Sequence, residues 1–334
     1  MNDRGGEGPA DGASRLVVLV PVFNDWESLR HVIPDLDRVL AGESCEAHLL
    51  LVDDGSSVPR PQDFLEGRAL VAIREIEHLR LRRNLGHQRA IAVGLAYVHA
   101  QIPCTSVLVM DGDGEDRPSD VSSLLRKLEE CGHGCIVFAE RTRRSEGPIF
   151  SSFYHLYRFL HRLLTGYSVR VGNFSVVPRR FLEHLVVASE LWSHYAASIF
   201  RSSIPYVTVP APRGTRVSGR SHMKFVGLAV HGLSAISLYG DIIGVRLLIA
   251  ASGGIVALVA ALGAVIGVRL FTERAIPGWA TYSVGILTVL LIQVLLSCLA
   301  LVVLTLGGRV RPGFLPVRDH VYFISQSTKV HPRG

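Results

Sequence analysis

Short apolar runs alternate with amphipathic stretches along the first 240 residues of the chain. The runs have the length of strands, and the stretches between them repeat their apolar positions with helical spacing, as at Leu29, Ile33, Leu36 and Leu40. The predicted strands cover residues 16–22, 48–52, 71–79, 107–110 and 134–139; the predicted helices cover residues 27–40 and 87–100, and a further helix begins at Pro118. Because strands and helices alternate, we expect an α/β domain with a mostly parallel sheet.

Two long apolar runs follow this region, at residues 247–268 and 284–306. Each has about 22 residues, which is enough for a helix to cross the roughly 30 Å hydrocarbon core of a bilayer. The sequence therefore predicts a hairpin of two transmembrane helices.

Arginines are more frequent on the outer flanks of this hairpin than between its helices. The flanking residues are Arg246 before the first run, and Arg309, Arg311 and Arg318 after the second. By the positive-inside rule, both flanks and the large N-terminal domain are expected on the cytoplasmic side. The predicted location is therefore the cytoplasmic membrane, as an integral membrane protein with both termini in the cytoplasm.

These patterns predict five regions along the chain. They are a disordered tail at residues 1–14, the α/β domain at 15–221, an interfacial amphipathic helix at 222–241, the transmembrane hairpin at 242–308 and a basic cytoplasmic tail at 309–334.

Charge and composition support the membrane assignment. The formal net charge is +6, the isoelectric point is near 9.2 and the mean hydropathy is +0.31. A basic chain with positive hydropathy is typical of a membrane protein with basic cytoplasmic faces, and we expect no nucleic-acid partner. The five cysteines show no zinc-finger spacing, which indicates free thiols in a reducing compartment.

Acidic residues follow two of the predicted strands. Asp111 and Asp113 stand where strand 107–110 ends, and Asp53-Asp54-Gly55-Ser56 follows strand 48–52. Taken alone, either motif is also typical of a solvated turn. In a doubly wound sheet, however, strand ends such as these border one crevice where ligands bind. Two close carboxylates there favour a divalent cation, which commonly arrives with the phosphates of a substrate.

Four motifs occur in a characteristic order. They are Pro21-Val22-Phe23-Asn24-Asp25, Asp53-Asp54-Gly55-Ser56, Arg83-Asn84-Leu85-Gly86 and Asp111-Gly112-Asp113. With this series, residues 15–240 resemble glycosyltransferase family two, whose members have the GT-A nucleotide-sugar fold. Within that family the chain is most similar to the polyprenyl-phosphate glycosyltransferases of the dolichol-phosphate mannose synthase type, several of which carry a C-terminal two-helix hairpin.

The resemblance implies roles for the matching residues. The nucleotide-binding residues would be Pro21, Asn24, Asp25, Asp53, Asp54 and Gly86, with Asp53 or Asp54 on the base and ribose. Asp111 and Asp113 would be catalytic residues that bind Mg²⁺ or Mn²⁺ on the diphosphate, where the metal stabilises charge on the leaving group. Glu115 departs from the relatives, which commonly have glutamine there, and its carboxylate could alter metal affinity or sugar choice.

A basic loop precedes the predicted hairpin. Its segment Arg216-Val217-Ser218-Gly219-Arg220-Ser221 resembles the Arg-x-x-Gly-x-Ser element of the polyprenyl-phosphate enzymes. The resemblance implies that Arg216, Arg220 and Ser221 bind the acceptor phosphate, and that Arg220 is also catalytic. A cationic loop beside a bilayer suits a lipid phosphate, although general attraction to anionic headgroups is the alternative interpretation.

Other segments carry weaker signals. Residues 141–144 could clamp the diphosphate or form a solvated basic loop, and residues 153–164 predict an amphipathic helix near the membrane surface. Gly172-Asn173-Phe174 resembles a segment that lines the sugar pocket of the relatives. Trp192, His194 and Tyr195 could contact the acceptor or sugar, or pack in the core.

The sequence therefore predicts a membrane-anchored inverting transferase that moves one sugar from a nucleoside-diphosphate sugar to a polyprenyl phosphate. One alternative keeps the donor and changes the acceptor to another lipid or a glycan, and another is a catalytically idle nucleotide-binding scaffold. Glycines in the first apolar run, at 253, 254, 263 and 267, make a homo-oligomer plausible.

Overall fold

The structure is a computed structural model that describes residues 15–141, 171–212, 214–216, 239–272, 278–309 and 313–330. These residues form two compact units. The first unit contains the described residues up to 216 together with residues 314–330, and the second contains the described residues 239–313.

The first unit is an eight-stranded sheet flanked by helices. The strands are β1 (Arg15–Val22), β2 (Glu46–Asp53), β3 (Ile73–Leu81), β4 (Ser106–Val109), β5 (Ile136–Arg141), β6 (Val171–Pro178), β7 (Tyr206–Ala211) and β8 (Ile324–Val330). Within the described ranges, the helices are α1 (Trp26–Gly42), α2 (His87–Gln101), α3 (Pro118–Glu130), α4 (Arg179–Val186), α5 (Tyr195–Arg201), α6 (Gly240–Phe271), α7 (Trp279–Arg309) and α8 (Pro316–Asp319).

The sheet has the order β7-β5-β6-β4-β1-β2-β3-β8. Strands β1 to β4 are mutually parallel, and β5 is parallel to β7. Two strands run the other way: β6 lies between β4 and β5, and β8 pairs with the outer edge of β3. The predicted fold class, an α/β architecture with a mostly parallel sheet and two apolar C-terminal helices, is confirmed.

The strand order reverses at β1, and this reversal opens a crevice. The connection through α1 places β2 on one side of β1, whereas the connection from β3 through α2 places β4 on the other. Ligands in such sheets bind outside the carboxyl ends of the strands at this switch point. The segments that follow β1, β2 and β4 carry three of the four motifs found in the sequence.

Two apolar layers enclose the sheet. On one face, the buried side chains of α1 and α3 pack together over the central strands, as Leu29, Leu36 and Leu124 show. On the other face, α2 is buried along most of its length, from Ala90 to Val98. A helix that is apolar on nearly all sides must be covered on nearly all sides, and α4, α8 and the 3₁₀ turn Ser189–Trp192 pack against it.

Strand β3 begins later than the apolar pattern predicts. The amides of Val71, Ala72 and Ile73 donate hydrogen bonds to the buried Asp37 carboxylate of α1, at 2.8–3.1 Å. Because a side chain from α1 takes up these first amides, the strand starts at Ile73 instead of Val71. The strand predicted at 134–139 also begins two residues later, at Ile136 of β5.

The C-terminal segment, predicted only as a basic tail at 309–334, returns to the sheet. Strand β8 pairs antiparallel with β3 from Ile76↔Val330 to Leu81↔Ile324. Glu77 of β3 anchors it: its Oε1 accepts hydrogen bonds from Ser327 of β8 and from Tyr97 of α2, while His48 Nε2 lies 3.2 Å from its Oε2.

Glu77 is expected to contribute stability that acid removes. Burial raises the pKa of Glu77, but hydrogen bonds from His48, Ser327 and Tyr97 outweigh burial and lower the pKa to about 2, from an ordinary 4.5. A lowered folded-state pKa gives stability that is present above pH 4.5 and lost as the pH falls towards 2. We expect Glu77→Gln to lower the free energy of unfolding at pH 7 by about 3 kcal/mol, since a shift of one pKa unit corresponds to roughly 1.4 kcal/mol.

Thermal unfolding of both proteins at pH 7 and pH 3 tests this expectation. The difference between wild type and Glu77→Gln should be large at pH 7 and shrink at pH 3. Glu46→Gln is the matched control, because Glu46 is exposed and pairs with Arg74 at the surface. A Glu77→Gln effect no larger than the control effect would contradict the proposed anchor.

The second unit is the pair of apolar helices α6 and α7, which pack against each other. They have 32 and 31 residues, and both are long and apolar enough to cross a membrane. They contain the two runs predicted at 247–268 and 284–306. The predicted tail at 1–14, the amphipathic segment at 153–164 and most of the interfacial segment at 222–241 lie outside the described residues, while Gly240 and Asp241 already belong to α6.

Candidate active site

A tight turn after β4 holds the two aspartates together. The amide of Asp111 donates to Asp116 Oδ2 at 2.9 Å, and the amide of Glu115 donates to Asp113 Oδ1 at 2.9 Å. A Cβ on Gly112 would lie 2.6 Å from Leu29 Cδ2, so glycine lets the turn pack closely on this side chain of α1. The two hydrogen bonds within the turn hold its shape. We call residues 111–116 the aspartate turn.

The two carboxylates at the end of β2 make different contacts. Asp54 accepts hydrogen bonds from the amides of Leu85 and Gly86, at 2.7 and 2.9 Å, and so ties the β2 end to the start of α2. Asp53 accepts one from the Ser56 amide at 2.8 Å, and its Oδ2 lies 3.2 Å from His78 Nε2 of β3.

The loops after β1 and β2 are joined through Asn24. Its backbone has a φ of 56°, a left-handed conformation that asparagine tolerates better than most residues. In this conformation the backbone amide of Asn24 donates to Ser56 Oγ at 2.9 Å, and the side-chain Oδ1 of Asn24 accepts from the Val58 backbone amide at 2.9 Å. Asn24 thus links the loop after β1 to the loop after β2. Pro21 lies buried in β1 beside Val52.

A polar relay reaches the aspartate turn from the other side. His87, the first residue of α2, places its Nε2 3.2 Å from Asp111 Oδ1 and 2.9 Å from Asn173 Nδ2 of β6. Gln88 donates to Asn173 Oδ1 at 3.0 Å and accepts from the Tyr195 amide at 2.7 Å. Asn173 thus lies one side chain away from Asp111, through His87.

A loop after β7 lies directly on the aspartate turn. The amide of Gly214 donates to the Glu115 carbonyl at 2.9 Å, and a Cβ on Gly214 would lie 2.3 Å from the Gly114 carbonyl oxygen. Only glycine allows so close an approach. Arg216 Nη2 then lies 3.2 Å from Asp113 Oδ2 and 3.7 Å from Asp25 Oδ2. We call residues 214–216 the arginine loop.

The site carries concentrated negative charge. The pKa of Asp113 lies above its ordinary value, because burial and the nearby Asp111 and Glu115 carboxylates raise it. A hydrogen bond from the Glu115 amide and the charge of Arg216 lower this pKa, but only in part. Burial also raises the pKa of Asp54, against its two amide hydrogen bonds. The pKa of Asp53 lies below its ordinary value, because hydrogen bonds from His78 and Ser56 outweigh burial.

The divalent cation that the resemblance implies fits these residues. The negative charges of Asp111 and Glu115 raise the pKa of Asp113. A cation bound nearby would offset the repulsion between these carboxylates and favour their charged form. Within the described ranges no three His, Cys, Asp or Glu side chains converge as a complete ligand set. Mg²⁺ needs no such set, since it is commonly held by one or two carboxylates together with substrate phosphates.

The structure thus gathers most of the residues singled out in the sequence. Asp25 and Asp113 meet Arg216, and Asp111 lies in the same turn as Asp113 and contacts His87. Arg220 and Ser221 lie outside the described residues. Pro21, Asn24, Asp53, Asp54 and Gly86 form the loop framework around this group.

Sequence reasoning missed His78 and His87, which contact Asp53 and Asp111. For His87 a local signal existed, since it directly follows the Gly86 motif. Asp116, which the sequence offers with Glu115 as a base for a hydroxyl acceptor, instead accepts a hydrogen bond from the Asp111 backbone amide. His78 carried none, because its partner lies on a neighbouring strand.

Trp192, His194 and Tyr195 make structural contacts. Tyr195 is fully buried with its hydroxyl 2.7 Å from Ser175 Oγ, and His194 caps α5 by accepting from the Ala197 amide. The Trp192 ring stacks on Phe314, with centroids 3.7 Å apart, and so helps to hold the C-terminal segment.

The chain is similar to several known proteins. The family model described as "Glycosyl transferase family 2" matches residues 17–186. An uncharacterized glycosyltransferase of Bacillus subtilis, YkcC, is 25% identical over 325 residues, which cover 93% of each chain. The undecaprenyl-phosphate 4-deoxy-4-formamido-L-arabinose transferase of Klebsiella pneumoniae is 25% identical over 174 residues, covering 52% of this chain and 50% of that protein.

Among solved structures, a mannosyltransferase of Pyrobaculum calidifontis in complex with GDP-Man and Mn²⁺ is similar to this chain. The two are 14% identical, with a TM-score of 0.44, over 89% of this chain and 90% of that one.

Proposed function

Because the chain belongs to glycosyl transferase family 2, we propose that it moves one sugar from a nucleoside-diphosphate sugar to a polyprenyl phosphate, with inversion at the anomeric carbon. One observation carries the proposal. Asp113 of the aspartate turn and a guanidinium from a separate loop meet at the switch point of a domain joined to two apolar helices.

The donor side is the framework around β1 and β2. The pKa of Asp53 lies below its ordinary value, so this side chain is a carboxylate that can accept hydrogen bonds from a base or ribose. Asn24 and Asp54 fix the loops that border it, so that the nucleotide meets a preformed edge. Asp111 and Asp113 would hold the cation on the diphosphate, and the bound cation supplies Lewis-acid stabilisation to the departing nucleoside diphosphate.

The acceptor side is the arginine loop with its continuation. Arg216 presents its guanidinium beside the aspartate turn, and guanidinium groups bind phosphates in a bidentate manner. Arg220 and Ser221, which follow in the sequence, are proposed to complete the phosphate site. A phosphate monoester has its second pKa near 6 and is already an anion at neutral pH. The chain therefore has to orient the nucleophile for in-line attack and need not deprotonate it.

The chain's connectivity supports a membrane anchor with both flanks on one side. Strands β1 to β7 precede the apolar helices and β8 follows them, yet all eight strands belong to one sheet. If both helices span the bilayer, their two flanks must then lie on the same side. The arginines of those flanks favour the cytoplasmic side, and the relative that acts on undecaprenyl phosphate supports a lipid phosphate as acceptor.

Sugar transfer in membranes that express the full chain tests the proposal. Labelled UDP- and GDP-sugars are supplied with Mg²⁺ or Mn²⁺, and label is followed into organic-extractable lipid. We expect a labelled lipid that mild acid hydrolyses, as expected for a sugar joined to a lipid phosphate. Label in an acid-stable lipid or a polymer would instead support the other acceptors, and binding without any transfer would support the scaffold.

A further inference from the structure

Arg216 lies on the carboxylate that is proposed to bind the cation. Its Nη2 is 3.2 Å from Asp113 Oδ2 and 3.7 Å from Asp25 Oδ2. The Arg216 side chain is one-quarter exposed and the Asp113 side chain only 16% exposed, so water screens this pair weakly. A guanidinium and a divalent cation on the same carboxylate repel each other strongly in such surroundings.

The backbone holds the guanidinium in this place. Gly214 donates to the Glu115 carbonyl, and its Cα lies so close to Gly114 that a Cβ would approach the Gly114 oxygen to 2.3 Å. Glu115 in turn donates its amide to Asp113 Oδ1. The backbone of Glu115 thus contacts both the arginine loop, through its carbonyl, and the Asp113 carboxylate, through its amide.

We propose that Arg216 and the divalent cation compete for Asp113, so that cation loading moves the guanidinium off this carboxylate and makes it available to the acceptor phosphate. Asp25 provides a second carboxylate contact that keeps the displaced side chain beside the site. Donor and cation would then bind first and the lipid phosphate second. This inference rests on the proposed function, because it requires a cation at Asp113 and a phosphate acceptor.

The competition predicts an unusual result: removing Arg216 strengthens cation binding although it weakens transfer. Mn²⁺ binding to the purified full chain in detergent, with UDP or GDP present and without lipid, is measured from the electron paramagnetic resonance signal of free Mn²⁺. Protein-free samples correct for the Mn²⁺ that the nucleotide binds in solution. We expect Arg216→Gln to bind Mn²⁺ about threefold to tenfold more tightly than wild type, as removal of one partly buried competing charge implies. Arg216→Lys keeps the charge and should remain near wild type.

Two further variants separate competition from other effects. Arg38→Gln removes the same charge from an exposed pair on α1 and should leave Mn²⁺ affinity unchanged. Gly214→Ala keeps Arg216 but displaces the arginine loop from the aspartate turn, and should also tighten binding. It provides the same test if Arg216→Gln does not fold.

The outcomes distinguish this inference from the function on which it rests. Tighter binding by Arg216→Gln and Gly214→Ala, but not by Arg38→Gln, supports the competition. Unchanged or weaker binding by both loop variants, with wild type binding Mn²⁺, overturns the competition and leaves the proposed function standing. No Mn²⁺ binding by any of the proteins overturns both the cation at Asp113 and the competition.

Discussion

Replacing Asp113 with asparagine is expected to lower the rate of sugar transfer by about a thousandfold or more while the fold is preserved. The Asp113 Oδ1 accepts the Glu115 amide, and the asparagine carbonyl oxygen can accept it equally. Oδ2, which faces Arg216, becomes an amide nitrogen that cannot bind a cation. A cation contributes several kcal/mol to the stabilisation of a leaving diphosphate, and each 1.4 kcal/mol is roughly a factor of ten in rate.

Initial rates of transfer by purified wild type and Asp113→Asn, at equal amounts of folded protein, measure this effect. Asp63→Asn is the matched control, since Asp63 is 60% exposed and pairs with Arg30 on the surface. We expect the control to change the rate less than about twofold. Asp113→Asn with more than a tenth of the wild-type rate would contradict the role given to the aspartate turn.

Replacing Gly55 with alanine is expected to give the second large effect, this time on stability and donor binding together. Gly55 has a φ of +68°, and a Cβ there would lie 2.5 Å from the carbonyl carbon of Arg83. The left-handed conformation and the overpacking together cost about 3 kcal/mol, which lowers the melting temperature of a domain this size by roughly 6–12 °C. The collision also pushes the loop at Arg83 away from Asp54, whose carboxylate accepts hydrogen bonds from the amides of Leu85 and Gly86 in that loop.

Replacing Gly67 with alanine is the matched control, because it separates the cost of the left-handed conformation from the cost of the steric clash at Gly55. Its φ is +70°, but a Cβ there would meet no atom within 4 Å. Gly67→Ala should therefore lose only about 1 kcal/mol and keep nucleotide binding. Thermal unfolding and donor affinity are measured for both variants. Equal losses in the two would show that contact with the Arg83 loop does not matter.

The parallel half of the sheet could be predicted because burial on both faces makes its strands continuous apolar runs. Strands β1, β2 and β4 are fully or nearly fully buried, and each stands out in the sequence. Strand β8 could not be predicted in this way. Its residues Ile324–Val330 are mostly polar and exposed, and they become a strand only because the free edge of β3 pairs with them.

The same distinction applies to the candidate site. Asp111 and Asp113 could be identified because a local pattern, a buried strand ending in two carboxylates, marks them. The contacts of Asp53 with His78 and of Asp113 with Arg216 join residues from different elements, and no local pattern contains them. The sequence therefore marks where the candidate site is expected, whereas the contacts that set its charges are visible only in the three-dimensional arrangement.

The acceptor is the central claim, and a paired acceptor assay tests it most directly. The purified full chain in bilayers receives the donor identified in membranes, Mg²⁺ or Mn²⁺, and either undecaprenyl phosphate or undecaprenol, and the lipid product is identified by mass spectrometry. We predict one added sugar on the phosphate lipid, none on the alcohol, and no product with Asp113→Asn. Equal transfer to the alcohol, or transfer to diacylglycerol but not to the phosphate lipid, would contradict the account.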